Sequence, residues 1–298
     1  MIMVKIIGGL GNQMFQYATG RSIALKNNVE LKLDISGFDV YKLHAYGLDK
    51  FNIVENIATE KEVKEFTRWK IDVRDNFKKY YQVLENTFNY VIPYYKRKYV
   101  RERDYPFDPD ILKIKDNAYL DGYWGSEKYF LENESTIRKD FTVKQESDLV
   151  NQSMAAKILD TNSISVHFRR GDYVSDPKTN AIHGTCSLDY YYKAIEDVSK
   201  YVSDPCFFIF SNDPAWVKEN FSIPYPMNLV TVNGPEKNYE DLHLMSLCKH
   251  HIIANSTFSW WGAWLGTNKD KRIYTPKRWY NVDYINQKDT FPDSWYKI

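Results

Sequence analysis

Cysteine is scarce in this chain of 298 residues: there are three, Cys186, Cys206 and Cys248. They are far apart, odd in number and lack metal-site spacing, which argues against both a disulfide framework and a zinc site. Cys206 falls in an apolar run and Cys248 on an apolar helical face. Both read as buried free thiols, as expected in a reducing compartment. Excess charge is lacking too, since 40 Lys and Arg face 39 Asp and Glu, a net +1. No overall field favours nucleic acid or an anionic membrane, so recognition of a charged ligand must be local. Long apolar runs are missing. The first, residues 1–7, is broken at once by Gly8 and Gly9, too short for a signal peptide or a membrane span. The expectation is a cytoplasmic protein, at most peripheral at the inner membrane surface. The sequence shows no internal repeat and no low-complexity tract.

What is present is ordinary in bulk, with 43% hydrophobic and 27% charged residues. Aromatic content reaches 16%, with 24 Tyr and 8 Trp, a bias that suits sugar binding and an aromatic core alike. The chain opens as a strand over 4–7, a glycine-rich turn over 8–12, a helix over 13–26 and an alternating strand over 29–35. Residues 56–103 are charged and Tyr-rich, and no chemistry is placed there. A strand and turn follow over 117–123, then a polar stretch of helical character over 127–159. From 163 onward strands over 164–168, 206–210, 228–232, 251–254 and 272–274 alternate with helices over 188–201, 214–221, 239–249 and 258–265. Strict alternation implies a parallel sheet covered by helices on both faces. The expected fold class is α/β, with two Rossmann-like domains, 1–155 and 156–298, facing across a cleft.

The most informative segment is Ser165-Val166-His167-Phe168-Arg169-Arg170-Gly171-Asp172-Tyr173. A histidine, two adjacent arginines and an aspartate arrive together where a strand ends, and strand ends are where open α/β sheets bind ligands. Two guanidiniums there suit a multiply charged, oxygen-rich partner such as a diphosphate. The plain alternative is a solvated loop with a salt bridge to the next aspartate. Other strand ends in this half carry Ser211-Asn212-Asp213, Asn233-Gly234 and Asn255-Ser256-Thr257, and a parallel sheet points them all to one side. Asn255, Ser256 and Thr257 precede a helix start, whose free N–H groups suit phosphate, although a simple N-cap accounts for the hydroxyls equally. Asp241 sits in a first helical turn. It reads either as a complement to the helix dipole or as an acceptor for the N1–H and N2–H edge of guanine.

Five segments together carry a resemblance over nearly the whole length: residues 8–17, Gly-Gly-Leu-Gly-Asn-Gln-Met-Phe-Gln-Tyr; residues 122–130; His167 to Tyr173; Phe210-Ser211-Asn212-Asp213; and Ala254 to Leu265. The chain resembles the bacterial α-1,2-fucosyltransferases of glycosyltransferase family 11. That resemblance implies a GT-B fold, a GDP-β-L-fucose donor held by the carboxyl-terminal domain, inversion at the anomeric carbon, and independence of metal and cofactor. It implies Arg169 and Arg170 as a diphosphate clamp, with Ser256 and Thr257 adding contacts. His167 and Asp241 would face guanine, and Asp172 and Asp213 would hold ribose or fucose hydroxyls or order the arginines. Asn12, in the glycine-rich start, would contact the leaving phosphate or the acceptor. That start lacks the third glycine of a dinucleotide fingerprint, so NAD is not expected. Asp108-Pro109-Asp110 lies in a linker rather than at a strand end, so no metal site is expected there. Base candidates on the acceptor side are Asp34, Asp121 and Glu127, with Asp172 a further one. The expected activity is galactoside α-1,2-fucosyl transfer to a galactose-terminated, lipid-linked glycan such as an O-antigen. The alternatives are a different GDP-sugar transferase and a non-catalytic nucleotide or glycan binder.

Overall fold

A computed structural model describes residues 1–67 and 92–298. Part of the charged, Tyr-rich segment, residues 68–91, lies outside the described residues. The chain divides into two compact units, Met1–Thr142 and Val143–Ile298.

The first unit is built from β1 (Ile2–Lys5), α1 (Leu10–Asn27), β2 (Leu31–Asp34), α2 (Glu60–Thr67), β3 (Tyr99–Arg101), β4 (Ala118–Asp121) and α3 (Glu134–Asp140). The strands form a parallel sheet in the order β2-β1-β4-β3. Helix α1 starts three residues earlier than the pattern suggested. Gly8 alone takes the left-handed conformation, φ +89°, and Gly9 already caps the helix. Two glutamines buried in α1 are satisfied by backbone. Gln13 donates to the carbonyls of Gly8 and Ala45 and accepts from the Gly47 N–H, and Gln16 accepts from the Ile7 N–H. At the other end Asn28 is left-handed, and the Val29 N–H closes onto the Ala24 carbonyl. Val29 therefore belongs to the helix exit, and β2 begins at Leu31.

The second unit contains α4 (Leu149–Leu159), β5 (Asn162–Phe168), α5 (Gly171–Ser175), α6 (Pro177–His183), α7 (Leu188–Ser199), β6 (Pro205–Ser211), α8 (Pro214–Asn220), β7 (Met227–Leu229), α9 (Asn238–Leu247), β8 (His250–Ile252), α10 (Thr257–Leu265), β9 (Ile273–Thr275) and β10 (Tyr296–Lys297). Its sheet is parallel throughout, in the order β10-β9-β8-β5-β6-β7. Strand order reverses at β5, with β6 on one side and β8 on the other, and such a switch point is where a ligand crevice opens.

Alternation along the strands distributes side chains between the two faces. Ile164, Val166 and Phe168 of β5, with Phe207 and Ile209 of β6, pack under α7 and α8. Phe208 and Phe210 face the other way, against Ile158 of α4 and Leu244 and Met245 of α9. Helix α4 thus packs into the second core, so the unit begins at Val143, before the helix that the expected 155/156 boundary would have cut. The loop expected after β5 holds two short helices. Asp176 caps the second, accepting from the Lys178 N–H at 3.1 Å, with Pro177 at its first position. Among the described residues no helix is long and apolar enough to cross a membrane.

Candidate active site

The second unit gathers the predicted residues at the carboxyl end of its sheet. Arg169 and Arg170 follow β5 directly. The Arg169 guanidinium pairs with Asp172 at 2.5 Å and lies 5.1 Å from the centroid of the Tyr173 ring. Arg170 Nε pairs with Asp213 Oδ2 at 3.2 Å, its backbone N–H donates to Asn212 Oδ1 at 2.9 Å, and its guanidinium lies over the Trp216 ring. The two cations are thus held by strand ends β5 and β6 together. Gly171 makes this approach possible, since a Cβ there would stand 2.2 Å from Asn212 Nδ2 and its φ is +29°. Asp213 also caps α8, accepting from the Trp216 N–H at 3.3 Å, so the same carboxylate fixes the arginine and the tryptophan beneath it.

His167 is the last inward residue on the opposite face of β5, packed 5.7 Å from Phe258 of α10. Burial, reinforced by the Arg169 charge, pulls its imidazole down to about 3, so it is neutral at any working pH. Its Nδ1 is buried and without a hydrogen bond among the described residues. Such a group costs about 1–3 kcal/mol unless a ligand completes it.

Ser256 occupies the N-cap of α10 but makes no side-chain capping bond, so the simple cap reading fails for it. Thr257 opens the helix. The Asn255 amide donates to the carbonyls of His183, Gly184 and Trp279 and so ties three loops together. Asp241 lies in the first turn of α9, which follows β7. It accepts from Asn233 Nδ2 at 2.8 Å, and Asn233 exchanges two amide hydrogen bonds with Asn151. Burial pushes the Asp241 carboxyl up to about 6, against the lowering pull of the Asn233 amide.

The base candidates belong to the first unit. Asp34 is buried and accepts from Ser36 N and Oγ and from the Tyr119 hydroxyl at 2.5 Å. Asp121 is paired with Lys5 at 3.1 Å and accepts from the Tyr99 hydroxyl. Both are engaged within the fold. Glu127 opens a single 3-10 turn and is half-buried. Asn12 lies inside the first turn of α1, with Nδ2 over Gly8. Asp108 and Asp110 share Arg103, and Lys113 takes Asp110 at 2.8 Å, so their charge is met by cations of the same segment.

Comparison with known proteins decides the family. The profile of glycosyl transferase family 11 matches residues 1–298. The chain belongs to that family. It is 35% identical to an alpha-1,2-colitosyltransferase of Escherichia coli, covering 100% of this chain and 99% of the relative. It is 32% identical to the O-antigen biosynthesis glycosyltransferase WbnK of Escherichia coli, covering 98% of each. A crystal structure of the NodZ alpha-1,6-fucosyltransferase soaked with GDP-fucose aligns over 89% of this chain and 91% of that one, with a TM-score of 0.52 at 15% identity. That likeness shows a shared fold, and the expected GT-B fold class holds.

In this family 11 glycosyltransferase two sets of contacts escaped the sequence reading. Trp216 sits in an ordinary short helix, and nothing in its spacing links it to Arg170. Glu102 follows β3 in the segment where no chemistry was expected. Its carboxylate accepts from the N–H groups of Tyr123 (2.6 Å) and Trp124 (2.9 Å). Burial pushes it up to about 7, only partly opposed by those two bonds, with Asp104 and Asp121 adding to the rise. Trp124 takes φ +55° in the fold, a strain that these bonds support, and the order of residues gives no sign of it.

Proposed function

We propose that this glycosyltransferase is an inverting, metal-independent enzyme that moves L-fucose from GDP-β-L-fucose to the 2-hydroxyl of a terminal galactose on a surface glycan. The observation that carries this reading is the adjacent pair Arg169 and Arg170 at the switch-point strand. Each has an aspartate counter-ion, and the uncapped start of α10 follows neighbouring β8. Two guanidiniums and helix N–H groups form an anion site for a diphosphate. Asp241, ionised, accepts the paired N–H edge of guanine.

In the reaction the acceptor oxygen forms a bond to the anomeric carbon while the bond from that carbon to the β-phosphate oxygen breaks. The electron pair leaves on GDP, where Arg169 and Arg170 stabilise the developing charge. The acceptor hydroxyl proton passes to a carboxylate. The candidates for it are Asp34, Asp121, Glu127 and Asp172. A nucleotide-sugar donor and free thiols fit a cytoplasmic enzyme acting on a lipid-linked O-antigen intermediate, peripheral to the inner membrane.

A second donor is favoured by the full-length likeness to a colitosyltransferase. Colitose is the 3-deoxy counterpart of L-fucose, and the guanine and diphosphate contacts would serve either sugar. The test incubates the protein with GDP-fucose or GDP-colitose, lactose and EDTA, and identifies the product by NMR. A fucosyl-α-1,2-lactose product is expected. Preference for GDP-colitose would reassign the donor, and failure to bind GDP would sink the reading of the arginine pair.

A further inference from the structure

We propose that His183 is a specificity-determining residue that hydrogen-bonds a hydroxyl of the transferred sugar. This rests on the donor-site reading above and extends it from the nucleotide to the sugar.

Position along the sheet is the first argument. The proposed guanine contacts, Asp241 and Asn233, follow β7, two strands from β5 in the sheet, and the arginine pair stands at β5 itself. A donor laid across the strand ends therefore has its sugar on the opposite side, toward β8 and β9. His183, at the end of α6, is fixed on that side. Asn255, after β8, donates to its carbonyl at 2.9 Å. Its ring stacks on Tyr173 at 4.8 Å and 18°, and packs 5.2 Å from Tyr280, after β9. Tyr173 in turn lies against Arg169. The imidazole is thus part of the Arg169 cluster, and Asp172 and Arg169 both act on it electrostatically.

Chemistry is the second argument. The ring is held on two sides by aromatic faces, yet its Nδ1 is buried without a hydrogen-bond partner among the described residues. Packing alone is served better by an apolar ring. Burial lowers its proton affinity, and Arg169 adds to this while Asp172 opposes it, so the imidazole is neutral at neutral pH. A neutral imidazole has one donor and one acceptor nitrogen, which matches a sugar hydroxyl, whereas a phosphate oxygen in the same cluster would select a cation.

The test compares wild type with His183→Ala and His183→Asn, measuring the inhibition constant of GDP and kcat/KM for GDP-fucose with lactose, with a thermal melt for each. The expected result is a loss of about 10-fold or more in kcat/KM for His183→Ala, as for one lost hydrogen bond to substrate. His183→Asn should recover part of it, and GDP inhibition should change less than about threefold. Equal losses for GDP and GDP-fucose would place His183 at the diphosphate or in the scaffold and overturn the proposal. Unchanged kcat/KM would overturn it as well. A wild-type chain that binds no GDP would show instead that the donor-site reading had failed first, and this one with it.

Discussion

The Arg170 guanidinium stands 3.6 Å from the centroid of the Trp216 ring, while Asp213, which caps the helix carrying that tryptophan, holds Arg170 Nε. The stack and the ion pair together fix the side chain in place. Arg170→Ala is expected to weaken GDP binding by about 2–5 kcal/mol, as for a buried charged partner removed. Trp216→Ala, which removes only the supporting ring, should cost about 1 kcal/mol. Isothermal calorimetry with GDP checks both, and a tryptophan variant as damaging as the arginine one would refute the division of labour.

Asp241 makes GDP affinity depend on pH. Its carboxyl is raised to about 6, chiefly by burial. The protonated form is no acceptor for both guanine N–H groups, so affinity should rise as pH increases through about 6 and level off above it. Asp241→Asn should flatten that dependence and erase the preference for GDP over ADP. Calorimetric titrations from pH 5 to 8 with both nucleotides report the slope and the selectivity together.

Glu102 should hold the Tyr123–Trp124 turn. Its carboxylate accepts from both N–H groups, and an amide in its place offers one acceptor to the two donors. Glu102→Gln should therefore destabilise the fold by about 1–3 kcal/mol, which urea unfolding checks. With the carboxyl raised to about 7, chiefly by burial, its folded value lies above the unfolded one, so this group's contribution to stability should fall as pH rises from about 4.3 through 7. An unchanged unfolding midpoint in Glu102→Gln would show that the turn does not depend on it.

Acid should destabilise the second unit. His167 is drawn down to about 3 by burial and Arg169, and His251, wholly buried beside Ser165, is drawn well below its ordinary value by burial. Both stay neutral when folded, whereas the unfolded chain binds protons as pH falls below about 6.5. Their contribution is intact above that pH and declines below it, by up to about 1.4 kcal/mol per pH unit for each histidine. Urea unfolding between pH 7 and 5 should show the fall, and a smaller one in His251→Gln.

Much of this molecule was legible in the order of its residues. The β5 segment announces itself because alternation places Ile164, Val166 and Phe168 on one face and leaves His167 on the other, just before two arginines. That Gly171 takes φ +29° against Asn212 is seen only in the fold. Boundaries were read less well where capping decides them. The start of α1 is set by Gly8, the exit of α1 claims Val29, and Asp176 with Pro177 turns an expected loop into α6.

The sequence by itself determined the family, the alternation of strands and helices and the pair of arginines, because these depend on local periodicity and on residues adjacent in the chain. Only the tertiary structure decided which polar groups remain for a ligand. Asp34, Asp121 and Asn255 hold partners 85, 22 and 72 residues away, whereas His167 is buried and His183 half-buried, each with an Nδ1 that no described residue satisfies. Hydrogen bonding and desolvation are set by what surrounds a group in space, and no spacing along the chain encodes that directly.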